Sequence, residues 1–240
     1  MSYLDHLFVL LFALLYPVAG FIGFQRLLRK MAAGHPFERT RLYRNTLLGQ
    51  CALGAILVLI WSGAGRSPAL LGLDLQADRR LLLGMLLTAA AIGLLLAQLS
   101  RVVNAGQATI DKLGGRLGRL APLVPHNGRE LALFNLVAIS AGVVEELLWR
   151  GFLIWYLAQV LPMWAAALIS TIGFGVAHAY QGAGNLLRIT LVGAAFVGLY
   201  LLTGSIWLSM LLHAAIDLLQ GRLACEIARR SSVPLHALSS

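Results

Sequence analysis

The chain alternates between long apolar runs and short polar connections. The runs occupy residues 4–24, 46–63, 81–100, 131–157, 163–179, 187–203, and 206–219 with its flanks. A helix needs about 20 mostly apolar residues to cross the roughly 30 Å hydrocarbon core of a bilayer. The pattern therefore predicts an all-α polytopic membrane bundle of about seven transmembrane helices. Between the third and fourth runs, Ile110, Leu113, Leu117, Leu120 and Val124 recur at helical spacing, while Lys112, Arg116 and Arg119 fall on other faces. An amphipathic helix on the membrane surface fits that pattern. Gly114, Gly115 and Gly118 weaken a helix there, so a basic loop fits as well. There is no internal repeat, and residues 231–240 read as a disordered tail.

The connections differ in charge. One holds Arg26, Arg29, Lys30, Arg39, Arg41 and Arg44; another holds Arg101, Lys112, Arg116, Arg119 and Arg129; and the C-terminal end carries Arg222, Arg229 and Arg230. In the alternate connections Asp74 and Asp78 partly offset Arg66, Arg79 and Arg80. Basic loops stay in the cytoplasm, which predicts the N-terminus outside and the C-terminus cytoplasmic. The first run lacks a basic segment before it and is followed by Arg26, so it reads as a retained helix rather than a cleaved signal peptide. Composition agrees with a membrane protein: 59% of the 240 residues are hydrophobic and 12% charged. A net charge of +9 would suggest nucleic acid in a soluble protein, but here the arginines cluster between spans, where anionic lipid headgroups are the better match. Cys51 and Cys225 lie in no metal-binding or redox spacing and read as small buried hydrophobes.

Against this background a few polar residues stand out. Charge at bilayer depth costs about 2.5 to 3.5 kcal/mol per residue on insertion scales, so ionisable groups in spans mark functional sites by default. The first three runs hold almost none beyond Asp5 and His6 near an end; the last four hold all the others. Glu146 and Arg150 are four residues apart and share a helix face, where they can neutralise each other. Glu145 lies about 100° round the helix and faces a different neighbour. Phe174 and His178 are one turn apart, with Thr171 and Gly175 on the same stripe, and His213 and Asp217 are one turn apart with Ser209 a turn earlier. Each pair alone could be an ordinary buried contact. Jointly, a free glutamate, two histidines and an aspartate on successive apolar helices are costly unless they surround one hydrated cavity. Such a cavity could hydrolyse a peptide bond without a covalent intermediate, with a carboxylate beside an imidazole taking a proton from water and a second imidazole stabilising the oxyanion. The chain has no HExxH helix, no GxSxG elbow and no second membrane aspartate for an aspartyl dyad.

Glu145-Glu146-xxx-Arg150, Phe174-xxx-His178 and His213-xxx-Asp217, in this order on successive membrane segments, resemble the motifs of the CPBP family. That family comprises type II CAAX prenyl endopeptidases and bacteriocin-processing or self-immunity proteins, regarded as glutamic intramembrane proteases. The resemblance covers about Glu145 to Asp217, and nothing before the fourth run shares it. It implies that Glu145 and His178 activate the water, that His213 and Asp217 form the oxyanion site, and that Glu146 and Arg150, with Phe174, support the helices around them. Eukaryotic members prefer Asn where this chain has Asp217. An ionised aspartate cannot donate a hydrogen bond, so Asp217 must be protonated, orient His213 or bind a metal. Glu145, His178, His213 and Asp217 also make a plausible oxygen and nitrogen ligand set for Zn²⁺, leaving a metal-dependent version of the protease open beside a cofactor-free one.

The expected organisation is a three-helix membrane region with basic cytoplasmic loops over 1–130, a catalytic helix bundle over 131–223, and a disordered cytoplasmic tail over 224–240. The expected activity is an intramembrane endopeptidase acting on a membrane-associated protein or peptide, with the lipid bilayer and no nucleic acid as further partner. A non-catalytic scaffold or bacteriocin self-immunity protein, keeping the polar bundle for fold specificity, is the alternative. A transporter would need ionisable groups spaced along a path, whereas these cluster. The bias toward Leu, Ala, Gly and Arg suggests a bacterial inner membrane. Most bacteria do not prenylate CAAX tails, so leader peptides or C-terminal sorting tails fit as substrates, with access from the cytoplasm favoured. Hydropathy places Glu145 near mid-membrane and His178 toward the cytoplasmic end of its span.

Overall fold

A computed structural model describes residues 1–232, and these are helical with no β-strand among them. The long helices are α1 (Tyr3–Ala32), α2 (Arg39–Gly63), α3 (Arg79–Val103), α5 (Gly128–Leu157) and α7 (Ala183–Thr203), each long and apolar enough to cross a membrane. α6 (Met163–Ala177) is apolar but shorter. α8 (Trp207–Arg230) has the length, but Asp217, Arg222, Glu226, Arg229 and Arg230 lower its apolar character. Of the seven expected spans, five therefore meet a spanning criterion outright. The other two are a short helix and a polar one, and both carry site residues. In α8 the departure from lipid-like composition follows from the charged residues it holds.

Helix boundaries follow local chemistry. Asp78 caps α3, its Oδ1 accepting the Leu81 amide at 2.8 Å, and Asn127 caps α5, its Oδ1 accepting the Glu130 amide at 2.9 Å. α7 turns into α8 within three residues because Gly204 takes φ +69°, and the Ile206 amide donates to the Gly72 carbonyl at 2.9 Å, anchoring that turn to the loop before α3. Gln107–Gly115 forms a short helix, α4, whose Ile110 is fully buried, and Gly118–Leu123 continues as a tight 3₁₀ turn. The stretch left open between amphipathic helix and loop is thus both.

The C-terminal segment corrects the expected tail. α8 continues to Arg230, so residues 224–230 are helical rather than disordered. Arg230 donates to the carbonyls of Val103 and Ala105 at 2.7 and 2.6 Å, and Gln107 Nε2 donates to the Arg230 carbonyl at 2.9 Å. The Ser232 amide donates to Asp111 Oδ1 at 2.8 Å, a contact that holds this exposed carboxyl below its usual range. The remainder of the expected tail, 233–240, lies outside the described residues.

The main core joins the N-terminal helices to the rest. Phe8 and Phe12 of α1, Leu57 and Trp61 of α2, and Trp149, Phe152 and Leu153 of α5 form one buried cluster. Asp5, expected only as a charge near an end, is fully buried and receives both guanidinium nitrogens of Arg66 at 2.7 Å. That guanidinium lies over Trp61 and Trp155 at 5.2 and 4.6 Å, which clamps the start of α1 to the ends of α2 and α5. Close approach elsewhere depends on glycine. A Cβ on Gly142 of α5 would lie 2.7 Å from the Ala214 backbone nitrogen of α8, and one on Gly54 of α2 would lie 3.3 Å from Val144 of α5. Small residues let membrane helices pack backbone to backbone, where no hydrophobic effect drives association.

Gly142→Val should therefore force α5 and α8 apart and destabilise the detergent-solubilised protein by about 1–3 kcal/mol. Gly93→Ala, which meets open space, should be neutral or stabilising by up to about 1 kcal/mol in the same unfolding assay.

Candidate active site

α5 changes its winding where the motif begins. It is α-helical to Glu146, and Leu147–Leu153 forms a wider π-helical stretch that ends in Ile154. Every residue from Leu148 to Leu153 is buried, including Arg150. Such π turns rotate side chains out of α register and recur at functional sites. Here the wide turn accommodates a fully buried ion pair between Glu146 Oε1 and Arg150 Nη1 at 2.9 Å.

Glu146 serves a second partner. His213 Nδ1 lies 2.8 Å from the same Oε1. A carboxylate can only accept, so this nitrogen carries the hydrogen. Arg150 Nη2 donates to the Gly193 carbonyl of α7 at 3.1 Å, and its guanidinium sits 4.2 Å from the Phe174 ring centre. Gly193 permits this because a Cβ there would lie 3.1 Å from Arg150 Nη2 and 3.0 Å from Phe174. The His213 ring stacks on Phe196 at 4.8 Å, and its Nε2 faces Asp217 Oδ2 at 3.7 Å. Ser209, a turn earlier, donates to the Phe196 carbonyl.

Glu145 points the other way, as its position on the helix predicts. Its Oε2 lies 3.7 Å from His178 Nε2, and its Oε1 accepts from Gln50 Nε2 of α2 at 3.3 Å. His178 Nδ1 is 2.8 Å from the Phe174 carbonyl, which again fixes the hydrogen on that nitrogen and leaves Nε2 as the bare nitrogen of the neutral ring. Glu145 Oε2 is buried and has no hydrogen-bond partner among the described residues. Phe174 connects the halves, with ring centres 4.7 Å from His178 and 5.9 Å from His213. Thr171 and Gly175 on its stripe act in packing: Thr171 Oγ1 bonds the Ala167 carbonyl, and Gly175 receives Thr190 of α7.

The geometry also brings together two groups that lie at different places in their apolar runs. Hydropathy separates Glu145 and His178, yet they meet at 3.7 Å. α6 has 15 residues, roughly 22 Å of helix, and stops short of spanning the hydrocarbon core. His178 caps its end, and the loop that follows packs against α1, where Tyr180 meets Phe24 at 5.2 Å. Irregular backbone at that depth is tolerated where it lines a wet cavity or is covered by protein.

The seven residues singled out by sequence thus assemble around Phe174 in two linked groups. As they stand, Glu145 with His178 and His213 with Asp217 are separate pairs rather than one tetrahedral ligand set. No three His, Cys, Asp or Glu side chains among the described residues converge on a point that could hold a metal. The Nδ1 atoms of both imidazoles are committed to the Phe174 carbonyl and to Glu146, which leaves both Nε2 atoms facing carboxylates. The residue that motif reading missed is Gln50. It is uncharged and therefore drew no attention, although an amide on the buried stripe of Tyr43, Leu53, Leu57 and Trp61 is itself a signal.

Residues 127–219, from α5 to about the middle of α8, match the family model described as Type II CAAX prenyl endopeptidase Rce1-like. The match begins at the Asn127 cap of α5 and ends just past Asp217, so all three motifs lie inside it and α1 to α4 lie outside. No curated protein and no solved structure matches the chain.

Removing Arg150 takes the guanidinium from a fully buried carboxylate and leaves it His213 alone. Arg150→Met should destabilise the protein by about 3–5 kcal/mol in thermal unfolding in detergent. Glu226→Ala, which removes a part-exposed pair with Arg230 at 3.8 Å, should cost under about 1 kcal/mol.

Proposed function

We infer that this protein is an intramembrane endopeptidase that hydrolyses a peptide bond in a membrane-associated protein or peptide, with Glu145 and His178 as the water-activating pair. The observation that carries the reading is the facing of two acceptors: Glu145 Oε2, unpartnered, and His178 Nε2, whose hydrogen sits on the opposite nitrogen, 3.7 Å apart. That separation is too long for a direct hydrogen bond and suits a water that donates one hydrogen to each. Both hydrogens are then directed into the protein and an oxygen lone pair is left pointing out toward a substrate carbonyl.

As that oxygen attacks the carbonyl carbon, one proton passes to Glu145 and the carbonyl becomes an oxyanion. His213 provides for it. As the imidazolium it gives Nδ1–H to Glu146 and offers Nε2–H to the developing charge, and Asp217 beside Nε2 orients the ring without having to donate. Collapse of the tetrahedral intermediate returns the proton from Glu145 to the leaving amine, which balances the step. Glu146 and Arg150 hold the imidazole in register. This division answers what an aspartate does at position 217, and it needs no metal. The membrane setting, the basic connections facing the cytoplasm and the N-terminus facing outside complete the reading for a bacterial inner-membrane protease.

Full-length protein in lipid nanodiscs, given two internally quenched peptides, one with a farnesylated C-terminal CAAX sequence and one with a transmembrane anchor and no prenyl group, should cut at least one of them. Glu145→Ala should reduce that cleavage by at least about 100-fold, on the scale of losing a general base, while o-phenanthroline leaves it unchanged. Undiminished cleavage by the Glu145 variant would remove the basis of the reading, and chelator inhibition would reinstate a metal.

A further inference from the structure

Glu145 has two carboxylate oxygens, and the chain commits only one of them. Gln50, in the middle of α2, is 6% exposed and donates Nε2–H to Oε1 at 3.3 Å. Packing sets this contact. Gly54, one turn further along α2, lies against Val144, the neighbour of Glu145, so the two helices approach closely beside the contact. The other end of the amide, Gln50 Oε1, is buried and has no partner among the described residues. A glutamine retained to hold two membrane helices together would bond at both ends, since an unsatisfied buried acceptor costs about 1–3 kcal/mol. Gln50 instead gives its donor to the carboxylate and leaves its acceptor without a partner among the described residues, as a group serving a site does.

We propose that Gln50 is a positioning residue for the hydrolytic carboxylate. Its N–H pins Oε1 of Glu145, so that Oε2 alone is presented to His178 and the water, and its free Oε1 adds a hydrogen-bond acceptor to the polar wall. The assignment rests on the role given to Glu145 above and extends the working site onto α2, outside the segment that matches the family. The terminal torsion of a glutamate is broad and nearly two-fold, so without a fixed partner the carboxylate rotates between orientations. Misplacing a reacting group by about 1 Å can cost about 100-fold in rate.

Gln50→Met keeps the volume of the side chain and removes the donor. In the nanodisc assay, on whichever quenched peptide the native protein cuts, it should lower kcat by about 10- to 100-fold with KM changed less than about twofold, because the group acts on the chemical step and not on binding. Combined with Glu145→Ala it should add no further loss, since a residue that works through Glu145 has nothing left to position. Unchanged kcat in Gln50→Met alongside an inactive Glu145→Ala would overturn the proposal and leave the protease reading standing. Full activity in Glu145→Ala would overturn both. A second cycle needs no activity: thermal unfolding of Gln50→Met, Glu145→Ala and the double variant should give a combined loss smaller than the two single losses added, and strict additivity would overturn the pairing.

Discussion

One carboxylate out of reach of water, bonded to a guanidinium and an imidazole at once, sets the arrangement of everything around it. Glu146 Oε1 takes hydrogen bonds from Arg150 of its own helix and from His213 of α8, and Arg150 reaches on to the Gly193 carbonyl of α7. In an apolar medium none of these groups can be left alone, so the three helices are fixed in rotation and in height relative to one another. The π-helical stretch after Glu146 is the backbone's accommodation of that demand. Adjacent glutamates thereby face different partners: Glu146 meets Arg150 and His213, and Glu145 meets Gln50 and His178, each glutamate keeping one buried oxygen without a hydrogen bond among the described residues.

The same constraint explains which features were legible in the sequence. A charge in a span is costly enough to be noticed at once, so Glu145, Glu146, Arg150, His178, His213 and Asp217 declared themselves, and helical spacing correctly assigned the partner of Glu146 and freed Glu145. Spacing within a helix says nothing about contacts between helices. The bond from His213 to Glu146, the facing of Glu145 and His178, and the role of Gln50 depend on how α2, α6 and α8 dock on α5. Neutral polar residues escape a search for charge, which is why Gln50 was passed over. Hydropathy assumes that a run of apolar residues ends at the membrane surface, and α6 breaks that assumption.

The N-terminal helices likewise read as chemically silent, and their contribution became visible only in packing. Phe8 and Phe12 join the aromatic core beneath the π turn, and the clamp of Asp5 on Arg66 ties the far end of α1 to α2 and α5. The C-terminal end of α8, expected to be loose, is fastened by Arg230 to the carbonyls that terminate α3. Arginine at the end of a helix has few neighbours in sequence to reveal such a partner.

The shortness of α6 limits what can be presented to this pocket. A carbonyl inside an intact transmembrane helix is already bonded to an amide four residues on and is screened by its own side chains. To offer a bare, extended linkage where α6 stops, a client chain must be unwound there, and unwinding is cheapest where a helix frays near the headgroups. On the protease reading proposed above, cutting sites fall in the juxtamembrane stretches of clients rather than in the middle of their spans, and helix-breaking residues close to such a stretch make a client easier to cleave.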